Sequence, residues 1–324
     1  MRVLVFSPSG GASLFISAGW INALVDAGFI AQRWDGKPET WAAFQPDLMI
    51  GCSGHRQPIP APADRKCKVA IHGNPYGHIK IEPNINETNE AVNWTICQQP
   101  DVVFGYGYGS DRKFWSYWSN YEIPWVPMPT AGDATLFNIK HGSHDKYDVA
   151  FVGGRWDYKA QAMDRYLFPV FRDPSITSMV YGWGGWPADI YKGQIPDQEV
   201  PKVLADCKVA PCVSEPHTIQ WGIDLPERVF KAILSGAVAI HDPVVGLHRF
   251  SSHIIIGVNP DDYHNKNKEL VSMSPQERAE IANRQRADVL QSHTYHHRMA
   301  TLLGALGFAA EAAKLLEVVE KYRG

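Results

Sequence analysis

Three side chains able to take a proton from a hydroxyl stand at or just past apolar, β-rich runs: Asp35 after FIAQRW, His55 after PDLMIGC, and His72 within CKVAIHG. Carboxylates and imidazoles act as general bases when their acidity suits the working pH. Each also has a plainer reading, in which a polar side chain at a strand end caps its own loop. Tyr106 and Tyr108 follow the next run, so parallel strands would bring all of these side chains to one rim.

The loop Ser7-Pro8-Ser9-Gly10-Gly11-Ala12-Ser13 suggests a second kind of chemistry. Small residues ahead of a helix let the backbone N–H groups at Gly10 and Gly11 approach a phosphate or a sugar hydroxyl. A tight turn packing the helix onto its sheet is the alternative. The loop lacks G-x-G-x-x-G spacing, which argues against a nicotinamide cofactor. A third set is cationic. Arg155 and Lys159 follow YDVAFVGG, and Arg228 opens a helical stretch in Leu225-Pro226-Glu227-Arg228. A helix N-terminus beside an arginine is an anion site, although Glu227 there also complements the helix dipole without any ligand. No D-x-D triplet occurs, so no residue is assigned to a metal.

The elements that would hold these residues alternate. RVLVFS, a helix from Ile16 to Ala27, FIAQRW, PDLMIGC, CKVAIHG, PDVVFGYG and IPWVPM form one βα series. YDVAFVGG, SMVYGW, CKVAPCV, AVAIHD and HIIIGV, with helices between them, form a second. Such alternation predicts mostly parallel sheets covered by helices. Residues 129–146, rich in Pro, Gly and polar side chains, read as a linker between domains at 1–128 and 147–324. SPQER predicts a helix start at Ser274, with Ser as cap, Pro in the first turn and Glu three residues on. The helical C-terminus from Tyr295 is expected to cross back to the first domain.

Composition narrows the class. With 324 residues, 45% hydrophobic and 20% charged, the chain has material for two cores and little for disorder. Five cysteines without a C-x-x-C pair suggest buried thiols rather than a disulfide framework or zinc ribbon. A net charge of −3 is unlike that of a protein coating nucleic acid. No membrane span and no signal-peptide pattern are read, and a cytoplasmic location is expected.

Several passages resemble known glycosyltransferases. Pro127-Met128-Pro129-Thr130-Ala131-Gly132-Asp133, with Phe137, resembles the passage preceding the second domain in spore-maturation-type (CgeB-like) glycosyltransferases. Tyr147–Gly154 is similar to their opening strand, and Val180-Tyr181-Gly182-Trp183 to a later one. Leu225–Ile240 resembles the donor-site helix of fucosyltransferases. The resemblance implies an α/β GT-B fold, two Rossmann-like α/β/α domains facing across a cleft. It further implies a UDP- or GDP-sugar as donor substrate and no cofactor. Glu227 would hold the ribose, Arg228, Arg155 and Lys159 the diphosphate, and Tyr181 and Trp183 would lie near the base, with Gly153 at the strand end. Glu215 resembles the first of two glutamates in retaining enzymes, but Lys231 stands where the second belongs, so inversion is expected.

The acceptor stays open among a carbohydrate, a small molecule and a modified DNA base. The run Asp111-Arg112-Lys113-Phe114-Trp115-Ser116-Tyr117-Trp118 mixes cations with stacking rings. It keeps a DNA glycosyltransferase acting on a hydroxymethylated base, as phage-type enzymes do, as an alternative. A non-catalytic two-lobed binding protein is the other alternative.

Overall fold

The computed structural model describes residues 1–7, 12–52, 61–73, 93, 95–105, 107, 118–140, 145–222 and 225–324. The chain divides into two compact units. The first holds residues 1–130, 295–322 and Gly324; the second holds 131–294 and Arg323.

In the first unit the apolar runs are the strands β1 (Arg2–Phe6), β2 (Ile30–Arg33), β3 (Leu48–Cys52), β4 (Lys68–His72), β5 (Val102–Gly105) and β6 (Trp125–Pro127). Helices α1 (Ala12–Asp26) and α2 (Pro38–Phe44) connect the first three. All six strands run parallel in the order β2-β1-β3-β4-β5-β6. Strands covered on both faces must be apolar throughout rather than alternating, and Val3, Leu4, Val5, Leu48, Met49 and Ile50 are accordingly buried.

The second unit repeats the plan with β7 (Tyr147–Val152), α3 (Asp157–Phe171), β8 (Ser178–Tyr181), α4 (Val200–Ala205), β9 (Cys207–Cys212), α5 (Pro216–Trp221), α6 (Glu227–Leu234), β10 (Val238–His241), β11 (Ile255–Ile256), α7 (Pro260–Ser272) and α8 (Pro275–Ser292). Its strands are parallel in the order β11-β10-β9-β7-β8. The capping box read at Ser274 and Glu277 opens α8. Helix α6 buries Val229, Phe230, Ala232, Ile233 and Leu234, leaving Glu227, Arg228 and Lys231 on its less buried side.

These units are drawn differently from the 1–128, 129–146 and 147–324 division expected from sequence. Most of the expected linker packs within the second unit: Ala131, Ala134 and Phe137 are buried, and the Ile139 N–H donates to the Leu234 carbonyl. The final helices α9 (Tyr295–Ala305) and α10 (Ala309–Val319) belong to the first unit. Gly19 on α1 explains the fit, because a Cβ there would lie 2.2 Å from Cδ2 of Tyr295. At the end of α1, Asp26 accepts hydrogen bonds from His296 Nε2 at 2.9 Å, Tyr322 Oη at 2.7 Å and Lys321.

Candidate functional site

In open α/β sheets the ligand crevice forms beyond the carboxyl ends of the strands, where the strand order reverses. In the second unit the chain moves from β7 out to β8 and then returns to the other side of β7 as β9. The loops after β7 and β9 therefore flank the crevice, and they carry Gly153, Gly154, Ser214 and Glu215.

Arg228 enters this point from α6. Its Nε donates to the carbonyl of Val152 at 2.9 Å, and its guanidinium lies 4.2 Å from the centre of the Phe151 ring. A Cβ at Gly153 would sit 2.1 Å from Arg228 Nη2, so the glycine makes room for the cation. Arg228 Nη1 is enclosed and has no hydrogen-bond partner among the described residues. Burial lowers the proton affinity of Arg228, offset in part by Cys212 and Glu215; arginine nevertheless stays protonated.

Lys159, near the start of α3, is only 4% exposed. Its ammonium lies 3.1 Å from Glu215 Oε1 and 5.0 Å from the centre of the Trp156 ring. Burial, and secondarily the Arg228 charge, bring its pKa down to about 8, against the pull of Glu215. A buried lysine normally needs a full set of partners. Here the charges of Lys159 and Arg228 are set against those of Glu215 and, more weakly, Asp242. The enclosed Arg228 Nη1, without a partner among the described residues, offers its donors to an anion with several oxygens.

The other residues singled out from sequence divide. Glu227 pairs with Lys231 at 2.8 Å, one turn along α6. The Arg155 guanidinium is held by Asp164 at 2.9 Å and donates to the Gly185 carbonyl at 2.8 Å. Tyr181 ends β8, where its carbonyl accepts the Gly153 N–H at 2.9 Å and burial raises its phenol pKa. Trp183 is half exposed and stacks on Trp156, with ring centres 5.1 Å apart and planes 4° from parallel.

In the first unit His72 ends β4; the residue is 8% exposed and its ring lies beside Trp20 and Phe104. Asp35 lies exposed in a turn, accepts the Lys37 N–H at 3.1 Å and pairs with the Lys37 ammonium at 3.5 Å. That backbone bond holds its carboxyl below the ordinary value. Gly10, Gly11, His55, Tyr106, Tyr108 and the run from Asp111 to Tyr117 lie outside the described residues. Sequence reading missed Trp156 and Asp242. The only signal was that Asp242 directly follows the apolar run AVAIH.

The family model described as glycosyl transferase-like matches residues 143–304, half of the chain. The chain belongs to the glycosyl transferase-like family. This glycosyltransferase has the GT-B fold, as solved structures of low identity show. A T4 phage β-glucosyltransferase in complex with its UDP-glucose substrate is 13% identical, with a TM-score of 0.62 over 96% of this chain and 99% of that one. An α-glucosyltransferase in complex with UDP and a DNA containing an HMU base is 13% identical, with a TM-score of 0.64 over 95% and 99%. The N-terminal domain of Candida albicans trehalose-6-phosphate phosphatase is 10% identical, with a TM-score of 0.58 over 94% and 96%. No curated protein sequence matches the chain. Among the described residues, no helix is long and apolar enough to cross a membrane, and no group of three or more His, Cys, Asp or Glu could hold a metal ion.

Proposed function

We propose that this glycosyltransferase uses a nucleoside diphosphate sugar bound at the carboxyl ends of β7 and β9, and transfers the sugar with inversion to an acceptor hydroxyl. The observation carrying this reading is the paired cations, Lys159 buried on Glu215 and Arg228 with an unused donor, at the sheet's reversal point. Their charge is suited to the diphosphate, and stabilises it most as it departs without help from a metal. Glu227 at the start of α6 is assigned to the ribose, in keeping with the resemblance of that helix to fucosyltransferases. The half-exposed Trp183, stacked on Trp156, is assigned to the base. The similarity of Tyr147–Gly154 and the strand around Tyr181 to the CgeB-like enzymes agrees with this arrangement. Arg155, committed to Asp164, is given a supporting role in the loop after β7.

The acceptor proton is assigned to His72. Asp35 is engaged by its own turn, and the lowered pKa makes it the weaker base. As the acceptor oxygen attacks the anomeric carbon, the bond from that carbon to the diphosphate oxygen breaks. The imidazole takes the proton and the nucleoside diphosphate leaves. Replacing His72 by Gln is expected to reduce kcat while leaving donor affinity in place.

A second reading concerns the acceptor. The two glucosyltransferases named above, one of them bound to DNA with an HMU base, match along nearly the whole of both chains. The cationic and aromatic run from Asp111 to Tyr117 supports a hydroxymethylated base in DNA as acceptor, whereas Trp118, which the sequence adds to it, is buried in the core. Thermal unfolding against UDP, GDP and their sugars tests the donor, since a ligand of the native state raises stability. A shift with one nucleotide, lost in Arg228→Ala, is expected; no shift with any of them would remove the donor assignment. Transfer of label to hydroxymethylated DNA, compared with simple sugars, decides the acceptor.

A further inference from the structure

Asp242 follows β10 and is fully enclosed, at 0% exposure. Both carboxylate oxygens lie 3.1 Å from the Ser214 nitrogen, and Oδ1 lies 2.7 Å from His241 Nδ1. Ser214 immediately precedes Glu215, the carboxylate that meets Lys159, so the Asp242 contact fixes the turn presenting that partner. A buried carboxylate is costly unless its charge is used. Lys159 meets Glu215 in the turn ahead of α5, and the charges of Arg228 on α6 and, least, of Asp242 after β10 also act on it. Asp242 contacts His241 Nδ1, and its charge also acts on Cys212 on β9, Tyr166 on α3 and Tyr263 on α7.

We propose that Asp242 is a positioning residue of the donor site: it holds the Ser214–Glu215 turn in place, and with it the carboxylate that meets Lys159. The inference rests on the donor-site reading above. Arg228 repels a proton on Lys159, while Glu215 and Asp242 favour it. Removing the Asp242 charge therefore lowers the pH at which Lys159 loses its proton.

The test is calorimetric titration of UDP across pH for the wild type and Asp242→Asn, which keeps an acceptor for the Ser214 N–H. The wild-type affinity is expected to fall as pH rises through about 8. In Asp242→Asn that fall should move to lower pH, with weaker binding than the wild type at the wild-type midpoint. In a Lys159→Arg background the shift should vanish. A fall at the wild-type pH in folded Asp242→Asn overturns the proposal. If Asp242→Asn does not fold, Asp242→Glu keeps the charge but displaces the turn, and must weaken UDP binding; unchanged affinity overturns the proposal. Absence of both UDP and GDP binding in the wild type would refute the donor-site reading itself, a result separate from either.

Discussion

Gly153→Ala tests the donor site through a single carbon. The backbone of Gly153 lies outside the left-handed region, so alanine is permitted there. The new Cβ would stand 2.1 Å from Arg228 Nη2 and 2.9 Å from its Cζ. Ordinary contact needs about 3.5 Å, so the guanidinium must retreat by about 1.4 Å. It cannot do so freely, because Nε is bonded to the Val152 carbonyl at 2.9 Å and the plane lies against Phe151. A retreat of that size breaks the Nε bond and withdraws Nη1 from the crevice. One lost charge-assisted hydrogen bond is worth roughly 1.5–3 kcal/mol, or about ten- to hundredfold in affinity. Titration calorimetry with UDP measures this, with circular dichroism as the check that the fold persists. Arg228→Ala should weaken binding at least as much, and the double variant should add little to it. If folded Gly153→Ala bound UDP as the wild type does while Arg228→Ala did not, the wedge between Gly153 and Arg228 would not be what presents the cation.

Lys159 predicts a pH signature in stability as well as in binding. Its pKa is lowered on folding from 10.5 to about 8, so the folded state releases a proton that the unfolded state keeps. Stability should therefore rise with pH across that window, and the rise should be absent from urea unfolding of Lys159→Met. Asp26 behaves in the opposite sense. Its pKa is held low against its burial by Lys321, Tyr322 and His296, so its contribution is present above the ordinary 3.8 and is lost as pH falls through the lower folded value. Asp26→Asn should destabilise the protein at neutral pH, and the difference from wild type should shrink in acid denaturation experiments. Gly19→Ala should cost about 1–3 kcal/mol in chemical denaturation, because the Tyr295 ring occupies the space a Cβ needs. A wild-type midpoint for Gly19→Ala would mean α9 packs on α1 less tightly than the 2.2 Å approach implies.

The elements were legible in the sequence because their signals are local. Continuous apolar runs such as VAFV and VAIH mark strands buried on both faces, and the Ser274–Glu277 box marks the start of α8. The cationic residues could also be singled out, since glycine pairs after a strand and an arginine at a helix start are local patterns. Which cation meets which carboxylate was decided only in three dimensions. Arg155 and Lys159 read alike, yet Arg155 is taken by Asp164 on α3, nine residues on in sequence. Lys159 instead finds Glu215, 56 residues away, and Arg228 reaches back 76 residues to Val152. The sheet order sets these meetings by laying β9 against β7 after β8 has formed the opposite edge. Asp242 had only its place after the apolar run AVAIH as a local mark, because its partner is the Ser214 backbone, 28 residues away. Periodicity in a chain reports which face of an element is buried. It does not report which elements become neighbours, and charge pairing depends on that.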